Sequence, residues 1–295
     1  MKSNISRIDF RDQISGNKWK SFFLMSFIAV FLVLLGYIIS KAFEPGYFFV
    51  IMIISIIFSL SYILISYYHS DKIAIASVGA KPASRERYKQ FYDSVEGLTL
   101  ASGMPMPKLY IMESEQINAF ASGRSPNNAV ICVTTGALKK LNKSELEGVL
   151  AHELGHVANY DIRYITLTAV MVGMVAIISE IFLRSLWFKG SDREGKGNAI
   201  FMLIGIVLAV LAPIVVQLVQ LAISRKREFV ADASAVQFTR YPAGLIGALK
   251  KIKNDNVVEK KVNKAVAPLF FSNPFKGWGS THPPLEKRIE ILEKM

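Results

Sequence analysis

Residues 150–157 read Leu-Ala-His-Glu-Leu-Gly-His-Val. His152 and His156 are four apart, so on a helix they share one face and can present two imidazoles to a single ion. Glu153 follows about 100° round the axis, able to reach a water in the ion's open position without becoming a ligand. These are the mechanical requirements of a zinc-dependent hydrolase. A helix is expected here. Ser144 and Glu147 have capping-box spacing, and Leu146, Val149, Leu150 and Leu154 form an apolar face. Histidine is scarce, with four in the chain, so a chance H-E-x-x-H has odds on the order of one in a hundred.

Outward from this helix the chain is membrane-like. Hydrophobic residues make up 52% of the 295 residues and are bunched into long runs; that is the membrane class. Residues 1–20 are a polar, basic arm, and 21–68 hold two apolar spans joined at Glu44-Pro45-Gly46, a hairpin. Residues 69–161 read as a soluble α+β part. Its strands are expected at Lys108–Met112, Gln116–Ala121 and Ala129–Thr134, with a short helix from Gly136 to Leu141 before the metal helix. A second transmembrane hairpin follows over 162–223, with Glu180 and Arg184 paired near the far end of its first span. Residues 224–295 form a soluble helical segment. The predicted fold is therefore mostly α. Four transmembrane helices accompany an α+β, zincin-like catalytic domain with a small sheet.

The charge balance, 35 basic against 23 acidic residues and a net +12, fits cytoplasmic flanks and anionic lipid. Nothing matches a nucleic-acid module. Basic residues crowd before the first span and after the second, which puts the amino terminus and the catalytic domain in the cytoplasm. The single cysteine, Cys132, excludes a disulfide framework.

A catalytic zinc needs a third protein ligand. The metal helix runs almost directly into the third span, and the fourth span returns into Glu228-x-x-x-Asp232. The two extensions should lie side by side, with Glu228 facing His152 and His156 and Asp232 placed to accept the free N–H of a ligand imidazole. Cys132, His282 and Asp161 compete for the third position. Cys132 would make the site deformylase-like.

His-Glu-Leu-Gly-His, then Ser224-Arg-Lys-Arg-Glu-Phe-Val-Ala-Asp232 after a pair of spans, then Ser280-Thr-His-Pro-Pro-Leu-Glu-Lys-Arg288 resemble the HtpX-type membrane metalloproteases of peptidase family M48. The likeness covers essentially the whole chain, including Asn118-Ala-Phe-Ala121. One departure is Phe229, where tyrosine is common. The resemblance implies one Zn²⁺ held by His152, His156 and Glu228, with Glu153 as catalytic base. It further implies a bacterial inner-membrane endopeptidase that cuts misfolded or damaged membrane proteins on the cytoplasmic side.

Within that frame His282 is expected to hydrogen-bond the tetrahedral oxyanion, with Arg288 orienting its loop. Asn118, Ala119 and Phe120 would lie on an exposed edge strand that binds substrate by β-addition. About 1.5 Å per helical residue puts the metal roughly 10–15 Å from the membrane surface. The expected partners are polypeptide substrates, the bilayer and other membrane proteases. Two other classes fit parts of the pattern: a processor of lipid-modified (CAAX-like) peptides, and a silent membrane scaffold.

Overall fold

The computed structural model describes residues 10–42, 45–169, 225–255, 269–272 and 283–295. Helix α1 (Phe10–Ala42) and helix α2 (Phe48–Tyr68) are an antiparallel pair. Ile14–Leu34 and Phe48–Tyr68 are long and apolar enough to cross a membrane. Phe22, Phe23 and Leu34 on α1, and Phe49, Ile53 and Ile57 on α2, point outward. Apolar surface this continuous suits lipid. The helices approach through small residues: a Cβ at Gly36 would collide with Ser55, and Ser59 Oγ donates to Ala29 O at 3.3 Å. Lipid gives apolar side chains no reason to pair, so close backbone contact has to do so. Helix α1 starts at Phe10, inside the stretch assigned to a polar arm. The second hairpin, with Glu180 and Arg184, lies outside the described residues.

Helix α3 (Ser70–Ser77) leads to strand β1 (Lys81–Pro82), helix α4 (Lys89–Ser102) and strand β2 (Lys108–Met112). Strand β3 (Ala119–Gly123), strand β4 (Ala129–Thr134) and helix α5 (Thr135–Lys140) follow. The sheet order is β1-β2-β4-β3, with β2 parallel to β4 and the other pairs antiparallel. Strand β4 is buried throughout. Its run Ala-Val-Ile-Cys-Val-Thr lacks alternation because both faces are covered.

Helix α6 (Lys143–Ala158) carries the motif and is followed by helix α7 over residues 161–169. The cap lies two residues earlier than the sequence spacing suggests. Asn142 Oδ1 accepts from Glu145 N at 2.9 Å, and Glu145 Oε2 accepts from Asn142 N at 2.8 Å. Ser144 falls inside the first turn, its hydroxyl donating to Asn142 Oδ1. Helix α8 (Arg225–Thr239), helix α9 (Pro242–Asn254) and helix α10 (Leu285–Leu292) complete the described chain.

The core wraps α6. Leu146, Val149, Leu150 and Leu154 are at most 1% exposed and pack with Val95, Ile131, Leu245 and Leu249. Each such side chain contributes about 1.5–3 kcal/mol by leaving water. At Gly148 an added Cβ would lie 2.5 Å from Leu245 N, so α6 and α9 approach backbone to backbone. That contact fixes α6 rigidly in the centre of the domain, where precise side-chain placement is possible.

Candidate metal centre

Helices α6 and α8 bring His152, His156 and Glu228 together, all buried, with one ligand atom from each lying within 4.8 Å of the others. His152 Nε2 and His156 Nε2 are 3.1 Å apart; Glu228 lies 3.7 Å from the first and 3.5 Å from the second. Ligands about 2.05 Å from a tetrahedral ion stand about 3.3 Å from one another. Each of these spacings, the two to Glu228 being from different oxygens of its carboxylate, is close to the edge of a tetrahedral site.

The hydrogen bonds behind the rings define which nitrogens face inward. His152 Nδ1–H donates to Asp232 Oδ1 at 2.9 Å, and His156 Nδ1–H donates to Asp161 Oδ2 at 3.0 Å. Each carboxylate fixes its imidazole in the tautomer that leaves Nε2 bare. Two bare lone pairs at 3.1 Å repel unless a cation lies between them. The donor set fits a metal on that ground. Burial drives His152 down to about 4, with Arg288 adding to the effect. Burial also opposes a proton on His156, but the carboxylates of Asp161 and Glu228 outweigh it and lift the ring to about 10.

Asp161 reaches His156 through a break in the helix. Five residues along a continuous helix it would point about 140° away. Instead Tyr160 adopts φ 58°, a left-handed conformation that costs a non-glycine residue about 1–2 kcal/mol. Lys18 and Arg163 both lie over its ring, at 4.8 and 5.3 Å.

Arg288, from α10, is fully buried. Its Nε and Nη2 grip Asp232 Oδ2 and Oδ1 at 2.9 and 2.6 Å, and Nη1 is 3.6 Å from Glu228. The sequence reading put Arg288 with Asp232 behind the ligands, orienting the His282 loop; it stands directly behind the ligands. Burial would raise Asp232, but Arg288 and His152 hold the carboxyl low. Glu153 is buried on the pocket side. Burial pushes its pKa up to about 7, His156 opposing and Glu228 adding. Its Oε1 has no hydrogen-bond partner among the described residues.

The edge strand departs from expectation. Strand β3 is at the sheet's edge, as the substrate-binding reading of Asn118, Ala119 and Phe120 requires, but it is not exposed. Residues 269–272 cover it. Phe120 bridges Phe270, Phe271 N donates to Ala119 O at 2.8 Å, and the Asn118 side chain bonds both Ser272 N and Ser272 O. Phe271 also stacks edge-on against His152, centroids 4.8 Å apart. The physical reason is plain in the segment itself. Leu269-Phe-Phe271 is an apolar run that is soluble only when buried, and an unpaired edge is its natural receptor. Room in the pocket bounded by Ala121, the metal triad and Phe271 is small, about 10 Å³ for the centre of a water-sized sphere; that is one water's worth.

Among the rivals for third ligand, Cys132 lies in the apolar cluster with Met112, Phe120 and Phe270, outside the triad, and burial pushes its thiol pKa up. Asp161 is behind His156, on the side of the ring away from the triad. His282 lies outside the described residues. Two contributors went unnoticed in the sequence. The covering segment 269–272 had its apolar run as a signal; Asn17, described below, had none beyond being a polar residue at the head of an apolar helix.

A helix carrying such a triad, in a chain with two helices long and apolar enough to cross a membrane, is the pattern of a membrane metallopeptidase. The sequence profile of peptidase family M48 matches residues 86–295, and the chain belongs to that family. It is 39% identical over 290 residues to "Protease HtpX homolog" of Dictyoglomus thermophilum, covering 97% of this chain and 95% of the relative. The protein of the same name from Caldanaerobacter subterraneus is 42% identical over 90% of this chain and 93% of its own. That from Streptococcus gordonii is 37% identical over 96% and 99%. The crystal structure of S. mikatae Ste24p shares the fold at TM-score 0.51 and 20% identity, over 96% of this chain and 67% of that one.

Proposed function

We propose that this membrane metalloprotease is a zinc endopeptidase of a bacterial inner membrane, with four spans and a cytoplasmic catalytic domain. Its substrates would be misfolded or damaged membrane proteins, which makes it a quality-control enzyme. The observation that carries the reading is the triangle of His152, His156 and Glu228 at tetrahedral-edge spacing, with the unpaired Glu153 oxygen at its mouth. Two imidazoles and one carboxylate favour zinc over the oxygen-seeking Mg²⁺ or Ca²⁺. When bound, the ion would activate a water and polarise the scissile carbonyl. Glu153 accepts the water's proton and passes it to the leaving amine, a role suited to a buried carboxyl that lines the pocket beside the triad without belonging to it. Asp161 and Asp232 hold the imidazoles, and His282 stabilises the oxyanion.

Substrate binding by β-addition would use the β3 edge at Ala121, which lines the metal pocket and is itself buried. Ladder groups alternate in direction, so Ala121 presents its backbone on the same side as Ala119. Ala121 and Glu153 line the same pocket. A substrate strand there would pass across the ion with Phe271 at one end. A metal centre close to the bilayer suits chains still embedded or just extracted, and other membrane proteases would act beside this one.

The test is metal analysis and casein cleavage on the purified full chain. Stoichiometric zinc and chelator-sensitive cleavage are expected, with Glu153→Gln keeping its zinc and cutting nothing. A Glu153→Gln protein that cleaves at the wild-type rate removes the mechanism. Preferential crosslinking to freely soluble proteins would remove the substrate class.

A further inference from the structure

We propose that Asn17, on the first membrane helix, is a positioning residue of the metal centre, acting through Asp161 on His156. The proposal rests on the reading of His156 as a metal ligand.

Asn17 is 4% exposed. Its Nδ2 donates to Asp161 Oδ1 at 2.7 Å and to Asn159 O at 3.0 Å. Both partners are acceptors, so the amide has one orientation. The other oxygen of the same carboxylate, Asp161 Oδ2, holds His156 Nδ1. Asp161 is thus gripped at both oxygens: by the ring it orients and by a helix from elsewhere in the chain. Arg227 Nε, 3.9 Å from Oδ1, adds charge at longer range. A carboxylate held only by the imidazole could turn about its Cβ–Cγ bond and take the ring with it. Asn17 removes that freedom.

The surrounding contacts tie α1 to the same corner. Lys18 lies over the ring of Tyr160, the strained residue that delivers Asp161. One turn on, Ser21 Oγ donates to Asn17 O. Leu24 then packs with Tyr164 and Leu167 of α7. The grip on Asp161 therefore exists only while α1 is seated against the turn between α6 and α7. The membrane helix is a component of the metal centre, and the catalytic domain without it holds its ion more weakly.

The test uses the full chain in detergent with Co²⁺ as probe, measuring affinity by chelator competition and the ligand-field absorption. Asn17→Leu, close in volume but without the donor, should raise the dissociation constant about tenfold, within the span usual for partners behind a ligand, and alter the cobalt spectrum. Asp161→Asn should weaken binding at least as much. Asn17→Leu added to Asp161→Ala, which removes both acceptor oxygens, should then cost nothing further, because the path is already cut. A residue that merely braces the fold would impose its loss again in that background. Wild-type affinity and spectrum in Asn17→Leu, or additive losses in the double variant, overturns the proposal. If Asn17→Leu does not fold, Asn17→Ala is read in its place by the same criteria. His156→Ala separates the two layers: if it binds cobalt like wild type, the ligand reading itself fails; if it loses cobalt while Asn17→Leu does not, only the role of Asn17 fails.

Discussion

Arg288→Ala should be among the most damaging single changes in the protein. The guanidinium is fully buried, forked onto Asp232 by two charge-assisted bonds of 2.6 and 2.9 Å, and lies 4.7 Å over the Phe271 ring. Removing it strands the Asp232 carboxylate, itself 1% exposed, in a medium that cannot solvate it. Breaking one side of such a buried pair costs about 3–5 kcal/mol. At about 2–4 °C per kcal/mol for a domain of this size, melting should fall by roughly 6–20 °C. Thermal unfolding of the detergent-solubilised chain reads this directly. Arg288→Lys should recover part of the loss, since an ammonium keeps the charge but not the fork. The double variant Arg288→Met with Asp232→Asn should lie closer to wild type than Arg288→Ala, because no uncompensated charge remains at that pair. A fall of less than about 2 °C for Arg288→Ala, or a double variant whose loss equals the sum of the singles, refutes the account.

Glu228→Ala should release the metal, read by elemental analysis after dialysis; full occupancy would move the third ligand elsewhere. Gly148→Ala forces a methyl to within 2.5 Å of the Leu245 backbone, and overpacking of this kind costs about 1–3 kcal/mol, visible as a lower melting temperature with the His152–His156–Glu228 triad untouched. Cys132 is 1% exposed and its thiol pKa is pushed up by burial. A maleimide should therefore label it only in denaturant; rapid labelling of the native chain would contradict its place in the core.

The metal helix was legible because its information is local. Four-residue spacing decides which side chains share a face, and the flanking leucines decide which face is buried. The first two spans were equally plain as apolar runs, and β2 and β4 fell where their β-branched residues put them. Glu228 could be placed only by supposing that two extensions lie side by side, which the contact between α6 and α8 satisfies. The cap was misread by two residues because Asn142 and Ser144 are both good cap residues, and only backbone geometry chooses between them. The pairing of Asn17 with Asp161 was beyond reach for a different reason. They are 144 residues apart, and their meeting depends on a left-handed tyrosine that no periodicity announces. The cover over β3 was missed because Leu269–Phe271 is too short to carry a pattern of its own.

The tightness of the pocket beneath Phe271 has a pharmacological consequence. A compound that seizes the ion in place must be slim enough to take the position of a single solvent molecule. A bulky chelator has to wait for the phenylalanine to swing away or for the ion to leave unaided. Its inactivation rate then levels off as its concentration rises, and that plateau is set by the faster of the two, ring movement or ion release.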